Sequence, residues 1–324
     1  MTLVINTSEV PITSEVDKLV VKRRETIADN VIRITLGDPK GRRLPPWTPG
    51  AHLELILPNG LIRHYSLCGD RWDGFFYQIA ILRTLDSRGG SSWIHDHLDE
   101  GAVLEFGGPR NHFPLVPADQ YKFIAGGIGI TPLIPMIEQV QQSGQPWQLL
   151  YGGRSRGSMA FAEELSRFGD RVDLLPQDEY GLPDIPSWVG PPTPRTAVYS
   201  CGPEGLLRAV ETACSTWPSS SLWNERFVAK DQSQLPERAF TLQLRSGGSI
   251  TVEPGQSTLD SIRALGGDIL SSCKQGVCGT CEVGVLDGIP DHRDSVLSEH
   301  DREAGDCMLV CVSRARSQTL TLDL

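Results

Sequence analysis

The sequence predicts a multidomain fold: an antiparallel β-barrel, then an α/β domain with a parallel sheet, then a smaller C-terminal α+β domain. Three observations predict it. The first region has short apolar or alternating runs between turn signals, the second alternates strands with helices, and the third combines a hairpin with a group of cysteines. The length of 324 residues agrees with two or three domains of ordinary size.

The barrel is predicted over residues 1–116. Runs at 52–57, 75–82 and 102–106 alternate or are largely apolar, as strands with one buried face are. Pro-Asn-Gly, Gly-Asp and Gly-Gly-Pro segments near their ends are typical of tight turns. Short strands joined by such turns favour a small antiparallel barrel.

The α/β domain is predicted over residues 117–228. Thr131 is the expected N-cap and Pro132 the first residue of a helix that ends near Ser143, with Gly144 as its C-cap. A second helix is expected over 159–168. Strands are expected at 121–125, 147–151, 172–175 and 196–200. Strands that alternate with helices indicate a parallel sheet.

A polar stretch, residues 229–238, has the composition of a linker. The third domain is then predicted over 239–324. Strands at 240–244 and 249–252 flank Ser-Gly-Gly and predict a hairpin. Leu259, Ile262 and Leu265 would share one face of a helix.

Composition excludes several kinds of partner. The chain has 30 Lys and Arg against 40 Asp and Glu, a formal charge of -10, which argues against binding nucleic acid or an anionic membrane. The N-terminus has no basic residue before Lys18 and no apolar core, so it does not resemble a secretory signal. The uncharged run 123–137 is too short and too rich in glycine and proline to span a bilayer. We expect a cytoplasmic monomer.

The cysteines give the strongest signal for function. Five of the eight fall in the last 52 residues, and such crowding in a chain with no export signal favours a metal site over disulfides. Cys273, Cys278 and Cys281 have four-residue and two-residue gaps, and Cys311 follows 30 positions later. This is the spacing of a plant-type [2Fe-2S] cluster.

Two alternatives bear on this ligand set. A zinc site usually has two paired C-x₂-C units, but only one such unit is present here and no His lies at ligand spacing. Cys307 is a possible fourth ligand. We assign Cys311 instead, because the segment 311–315 resembles the one after the last ligand in ferredoxin-like domains of oxygenase reductases. Cys307, Cys68 and Cys214 are interpreted as packing residues.

Residues of the barrel could hold a flavin. Arg63 supplies a cation for a phosphate, Tyr65 an aromatic ring for the isoalloxazine or ribityl chain, and Ser66 a hydroxyl for the reactive ring nitrogen. By itself, Arg-x-Tyr-Ser could be an ordinary alternation on a strand. The element nevertheless matches the R-x-Y-S motif of the ferredoxin-NADP reductase superfamily.

A second segment supports the flavin site. Arg88, Gly89, Gly90 and Ser91 precede or open a helix expected over 91–98, where backbone N–H groups could bind phosphate. An ordinary glycine-rich turn is the alternative. Both segments resemble those of the phthalate dioxygenase reductase family, which uses FMN. The resemblance also implies that Ala80, Ile81 and Leu82 contact FMN.

A dinucleotide site is predicted in the α/β domain. Glycines between a strand and a helix allow the backbone to approach a pyrophosphate, although Pro132 stands where G-x-G-x-x-G has its third glycine. The same superfamily has G-G-x-G-x-T-P here and a later C-G-P beside the nicotinamide. The resemblance therefore gives the predicted nicotinamide site: Gly126, Gly127, Gly129, Thr131, Cys201, Gly202 and Pro203. The predicted catalytic residues are Ser66, for a hydrogen bond to the flavin nitrogen, and Cys201, which with Thr131 would place the nicotinamide.

The choice of coenzyme rests on two opposing signals. Arg154 and Arg156 follow the second strand, where an acid usually selects NAD, and could hold the 2′-phosphate of NADPH. The phthalate reductase family favours NADH, which we predict without excluding NADPH. Phe227 resembles the aromatic that shields the flavin in this family; a core position is the alternative.

The order of flavin, nicotinamide and C-terminal [2Fe-2S] elements resembles the phthalate dioxygenase reductase family over nearly the whole chain. The resemblance implies a reductase that moves electrons from NADH through FMN and the cluster to a terminal oxygenase, either of Rieske type or a cytochrome P450. An iron-sulfur redox sensor or binding module and a stand-alone flavin reductase are the alternatives. The acid excess suggests a basic surface on the acceptor.

Overall fold

The computed structural model describes residues 16–84, 89–229 and 235–324. Three main sheets follow one another along the chain, one antiparallel, one parallel and one mixed, which confirms the predicted multidomain fold. Arg88 of the predicted phosphate segment, residues 230–234 of the predicted linker and residues 1–15 of the predicted barrel domain lie outside the described residues.

The first sheet forms the barrel. Its elements are β1 (Lys18–Ala28), β2 (Val31–Gly37), β3 (His52–Ile56), β4 (Ile62–Ser66), β5 (Phe76–Leu82), α1 (Gly90–His97) and β6 (Val103–Arg110). The strands pair antiparallel in the order β4-β3-β6-β1-β2-β5. A bridge between Leu67, just after β4, and Ile79 of β5 joins the two ends of the sheet.

The alternation in β3 points two fully buried leucines, Leu53 and Leu55, into the barrel. His52 and Glu54 occupy the opposite face and are also buried. The reason is that the third domain covers this outer face, as described below.

The second sheet is parallel. Its elements are β7 (Gln120–Gly126), α2 (Leu133–Ser143), β8 (Trp147–Gly153), α3 (Ala162–Ser166), β9 (Val172–Pro176), α4 (Gln177–Tyr180), α5 (Ile185–Val189), β10 (Thr196–Cys201), α6 (Glu204–Ala213) and β11 (Leu222–Glu225). The order β11-β10-β7-β8-β9 puts the chain reversal between β7 and β10. In such sheets ligands bind at the carboxyl ends of the strands at this switch point.

Two local predictions in this domain need correction. Pro132 holds the N-cap position of α2, and the hydroxyl of Thr131 donates instead to the Ile128 carbonyl at 2.9 Å. The helix predicted over 159–168 is confined to α3, because Phe161 has a left-handed φ of 63° and cannot belong to a right-handed helix.

The third domain contains β12 (Phe240–Leu244), β13 (Ser249–Val252), α7 (Thr258–Ala264), β14 (Glu282–Asp287), β15 (Pro290–Asp291), α8 (Glu299–Ala304), β16 (Cys307–Leu309), β17 (Arg314–Ala315) and β18 (Thr319–Leu322). The main sheet has the order β13-β12-β18-β14-β16. The predicted hairpin is confirmed, with Gly247 and Gly248 at positive φ in its turn.

Packing joins the first two domains directly. One apolar cluster contains Val31, Ala80 and Phe113 from the barrel side together with Phe123 and Ala125 of β7. The apolar core of the third domain is separate and is built from residues of 240–324 alone. Within the described ranges, no helix is long and apolar enough to cross a membrane.

Candidate functional site

The predicted cluster ligands converge from two segments. Cys273, Cys278 and Cys281 lie in the loop between α7 and β14, and Cys311 follows β16. This loop, residues 272–281, is called the ligand loop below. Its Gly276 has a φ of 67° and lets the backbone turn tightly where a Cβ would meet Asp294 and Val312.

The four sulfurs lie close together. Hydrogen bonds from the thiols of Cys278 and Cys311 lower the pKa of Cys273, and the N–H of Gln275 donates to its sulfur at 3.3 Å. Cys311 also contacts Cys281 and lowers its pKa by a hydrogen bond. Cys307 is placed on β16, and acidic neighbours and above all burial raise its pKa to about 11. The geometry groups Cys311 with the loop cysteines.

Among the described residues, no three His, Cys, Asp or Glu side chains form the compact geometry of a single metal ion. A [2Fe-2S] cluster uses its four thiolates differently, since they are shared between two irons. The donor set of four cysteines, with one backbone N–H directed at a sulfur, fits that group.

The predicted flavin residues lie at the edge strand β4. Arg63 crosses the first turn of α1, where a Cβ on Gly90 would lie 2.8 Å from its guanidinium carbon. Gly89 has a left-handed φ of 80°. A cation and a helix N-terminus therefore meet at one place, which is a suitable environment for a phosphate.

The other predicted flavin residues lie on β4 and β5, and the β5 side chains point to opposite sides of the strand. Tyr65 is partly buried, and desolvation raises the pKa of its phenol, while Ser66 is buried at the end of β4. On β5, Ala80 and Leu82 pack against the shared apolar cluster, but the Ile81 side chain points into the barrel core. Only the backbone of Ile81 is therefore suitably placed to contact a ligand.

Ser91 is buried in the first turn of α1 and holds the preceding segment. Its hydroxyl accepts from the backbone N–H of Thr84 at 3.2 Å and lies 3.0 Å from the Thr84 hydroxyl. This ties the end of β5 to the helix that follows.

The predicted nicotinamide residues meet at the switch point between β7 and β10. A Cβ on Gly129 would lie 2.7 Å from the N atom of Gly202, and one on Gly126 would lie 2.6 Å from Cδ of Pro203. Cys201 is fully buried at the end of β10. Glycine is therefore required here because two backbone segments approach each other, in addition to any approach of a ligand.

Two predicted nicotinamide residues flank this crevice. Gly127 has a left-handed φ of 53° at the start of the turn before α2, and Thr131 is buried in the same turn. Arg154 is exposed beyond β8. Arg156 forms an ion pair with Glu179 at 3.2 Å, so its charge is already partnered.

Glu225, which was not among the predicted site residues, lies beside Cys201. The thiol of Cys201 donates to the Glu225 carboxyl at 3.9 Å, since the two residues are register partners in β10 and β11. Desolvation raises the pKa of Glu225 to about 8, so its carboxyl keeps a proton at neutral pH. In the sequence, the neighbouring Phe227, which resembles the flavin-shielding aromatic of the family, was the signal that could have led to Glu225.

The segment after β11 is held rigidly. Arg226 is buried and forms ion pairs with Glu204 and Glu211 of α6, at 3.1 and 2.8 Å. Phe227 is 43% exposed, so the alternative that it is a core aromatic is wrong.

Comparison with known proteins agrees with this arrangement. A family model described as 2Fe-2S iron-sulfur cluster binding domain matches residues 243–316, and one described as oxidoreductase NAD-binding domain matches residues 123–175. The fold and these sites define a class of NADH-dependent oxidoreductases that carry FMN and a [2Fe-2S] cluster.

Full-length relatives identify the family. Phenoxybenzoate dioxygenase subunit beta of Ectopseudomonas oleovorans is 43% identical, over 92% of this chain and 94% of the relative. Phthalate dioxygenase reductase of Burkholderia cepacia is 38% identical, over 95% of this chain and 97% of the relative. The chain belongs to the phthalate dioxygenase reductase family and is a reductase component of an oxygenase system.

Solved structures support the same fold. The structure of a phthalate dioxygenase reductase, 36% identical, superposes with a TM-score of 0.68 over 95% of this chain and 97% of that one. An intact type IV self-sufficient cytochrome P450 monooxygenase, 45% identical, superposes with a TM-score of 0.90 over 95% of this chain. The chain spans 41% of the length of that P450.

Gly129→Ala tests the close approach at the switch point. The added methyl group would collide with the backbone of Cys201 and Gly202 and push the turn away from β10. We expect the KM for NADH to rise by about tenfold or more, with FMN content unchanged. Gly205→Ala is the matched control, because a Cβ there meets nothing within 4 Å. Equal KM values for NADH in the two variants would contradict the assignment.

Glu225→Gln tests whether the Glu225 carboxyl holds a proton near neutral pH. The pKa of Glu225 is higher in the folded state than in an unfolded chain, so the folded protein keeps a proton that the unfolded chain loses between pH 4.5 and about 8. Its contribution to the free energy of unfolding therefore falls as pH rises, by up to about 1.4 kcal/mol per pH unit.

Glutamine removes this pH dependence. We expect the Tm of Glu225→Gln, relative to that of the wild type, to increase between pH 5 and 8 in thermal unfolding scans at one scan rate. A Tm difference that stays constant over this range would show that Glu225 does not hold a proton.

Proposed function

We propose that this reductase delivers single electrons from its [2Fe-2S] cluster to a Rieske-type terminal oxygenase. One contact supports the electron path that feeds this cluster: Ser272, directly before Cys273, lies 3.2 Å from His64, which belongs to the same strand as Tyr65 and Ser66. The ligand loop is thus seated at the strand that bears the predicted flavin residues.

The assignment of FMN residues is part of this proposal. Arg63 with the backbone of Gly89, Gly90 and Ser91 would hold the phosphate, while Tyr65 and Ser66 would contact the ring system. When bound, FMN supplies the conversion between two-electron and one-electron transfer, and the cluster supplies a one-electron carrier. The barrel would orient the flavin edge toward the ligand loop.

The nicotinamide residues would orient the coenzyme. The backbone at Gly126, Gly127 and Gly129 would admit the pyrophosphate, and Cys201, Gly202 and Pro203 would border the nicotinamide. Thr131 would act with Cys201 in its placement. Glu225 would keep its own proton near neutral pH while one of its oxygens accepts from the Cys201 thiol, and so would keep a negative charge out of this crevice.

The Rieske acceptor is supported by the family, whose full-length relatives include reductases of dioxygenase systems. A cytochrome P450 is the second candidate, since a self-sufficient P450 contains a closely superposable module at 45% identity. The acid excess favours a basic docking surface on either. Residues 239–324 alone have 12 Asp and Glu against 7 Lys and Arg.

Reconstitution distinguishes the two acceptors. The purified reductase is mixed with a Rieske-type oxygenase or with a P450, and NADH oxidation and product are measured together. We expect coupled product with the Rieske-type enzyme and weaker coupling as salt increases, because opposite surface charges are screened. Coupled product with the P450 alone would overturn the choice of acceptor. Full activity with neither present would favour a stand-alone flavin reductase.

We also propose that the chain works as a monomer in the cytoplasm, since all the proposed cofactor sites are built within one chain. Sedimentation of the FMN-loaded and cluster-loaded protein should give the mass of a single chain. A stable dimer at working concentration would contradict this.

Cys278→Ser tests the electron relay. A serine hydroxyl is a poor substitute for a thiolate at iron, so we expect NADH-dependent reduction of cytochrome c to be lost. Reduction of ferricyanide should persist, because ferricyanide can take electrons from the flavin. Cys307→Ser is the control and should retain both activities. Equal loss of both activities in folded, FMN-loaded Cys278→Ser would refute the relay, and loss of the cluster in Cys307→Ser would refute the ligand assignment.

A further inference from the structure

Polar residues form a patch on the outer face of the barrel, where the third domain packs against it. It consists of His52 and Glu54 on β3, His64 on β4, Arg110 at the end of β6, and His112. Strand pairing brings these residues together, since His52 is the register partner of Arg110 and Glu54 of His64. We call this set the docking patch.

The docking patch contacts the ligand loop at both ends. Nη1 of Arg110 donates to Oγ1 of Thr280 at 2.6 Å, and Nε2 of His64 lies 3.2 Å from Oγ of Ser272. Ser272 directly precedes Cys273, and Thr280 directly precedes Cys281. The patch therefore fixes the loop next to two of the proposed ligands.

Close packing reinforces these bonds. Gly279 has a φ of 73°, and a Cβ at this position would lie 2.8 Å from Cδ2 of the His112 ring. A side chain at position 279 would collide with this ring. Because glycine has none, the loop can approach the barrel closely. His52 lies behind the contact, stacked on His112 and edge-on to His64.

Glu54 organises the two donors of the patch. Its Oε2 lies 3.2 Å from Nε2 of His64 and 3.7 Å from Nη1 of Arg110. Hydrogen bonds from His64 and Ser272, together with the nearby charge of Arg110, lower the pKa of Glu54 to about 2. The carboxylate thus orients both side chains that reach the ligand loop.

The bond from Arg110 continues to a ligand sulfur. The Thr280 hydroxyl lies 3.2 Å from Sγ of Cys278. When Arg110 donates to the Thr280 oxygen, the hydroxyl proton is left free to point at the sulfur. Hydrogen bonds to cluster sulfurs are one of the factors that set the reduction potential of an iron-sulfur cluster.

The polar character of this contact sets it apart from the other domain junction. The barrel and the α/β domain share one apolar cluster, but the core of the third domain includes no residue of either within the described ranges. Its seating on the barrel therefore depends strongly on the docking patch.

We propose that Glu54, acting through Arg110 and His64, is a positioning residue that seats the ligand loop against the flavin-bearing edge and so sets the rate of electron transfer from FMN to the cluster. The inference rests on the FMN-to-cluster relay proposed above. It assigns no bond-making role to Glu54, Arg110 or His64. They hold the geometry across which the electron passes.

Stopped-flow absorbance with NADH tests the proposal on the holoenzyme. Flavin reduction and cluster reduction are followed separately in Arg110→Met and Glu54→Gln. We expect flavin reduction within about twofold of wild type and cluster reduction slower by on the order of tenfold, because the two groups are misplaced. Arg110→Lys should restore part of the cluster rate. Arg23→Met, which removes an exposed ion pair elsewhere on the barrel, should leave both rates unchanged.

The cluster potential gives a second measurement that loss of stability alone would not produce. Arg110→Met should shift the midpoint potential to more negative values, because the Thr280 hydroxyl loses the bond that orients it. In a Thr280→Val background, Arg110→Met should give a smaller further shift, since the connecting hydroxyl is gone and only the lost charge of Arg110 still acts.

The outcomes separate this proposal from the relay itself. Unchanged cluster reduction in both Arg110→Met and Glu54→Gln, with FMN and cluster fully loaded, would overturn the positioning role and leave the relay intact. Failure of the wild-type cluster to be reduced after the flavin would overturn the relay. An equal slowing in Arg23→Met would also overturn the specific role of the docking patch.

Discussion

The apolar cluster shared by the barrel and the α/β domain is the constraint on which the rest of the molecule depends. Ala80 and Phe113 pack with Phe123 of the central strand, so separating the two domains would expose apolar surface to water. The proposed flavin edge and the proposed nicotinamide crevice are consequently held together by one packed apolar core. Hydride transfer needs this, because it requires the two reacting atoms to be held in close and defined contact.

The third domain is attached to the barrel by polar contacts and shares no apolar core with it within the described ranges. Its contacts with the barrel include hydrogen bonds from Arg110 to Thr280 and between His64 and Ser272, which can be exchanged for bonds to water at small net cost. The residues before the domain are held on its own surface, where Arg293 donates to the Pro236 carbonyl and Arg314 to the Arg238 carbonyl. The domain is thus a unit with its own core, joined to the barrel through an interface of modest strength.

Local patterns predicted much of this fold. The hairpin around Gly247 and the strand that ends at Cys201 were predictable because alternation and turn residues act over a few positions. The helix over 159–168 was not, because the left-handed Phe161 is imposed by its packing in the shared cluster and has no signal in the local sequence. Glu225 and Arg110 were missed for a related reason. Their roles depend on strand register and domain contact, which one sequence does not reveal.

The predicted cluster motif also had a meaning beyond ligation. Gly276 and Gly279 let the loop turn, since both have positive φ values that favour glycine. Gly279 has a second task, since its missing side chain makes room for His112 of the barrel. The turn alone favours glycine at position 279, and the contact with His112 excludes a side chain there for a second reason. The loop must therefore fit both its cluster and the domain that supplies its electrons.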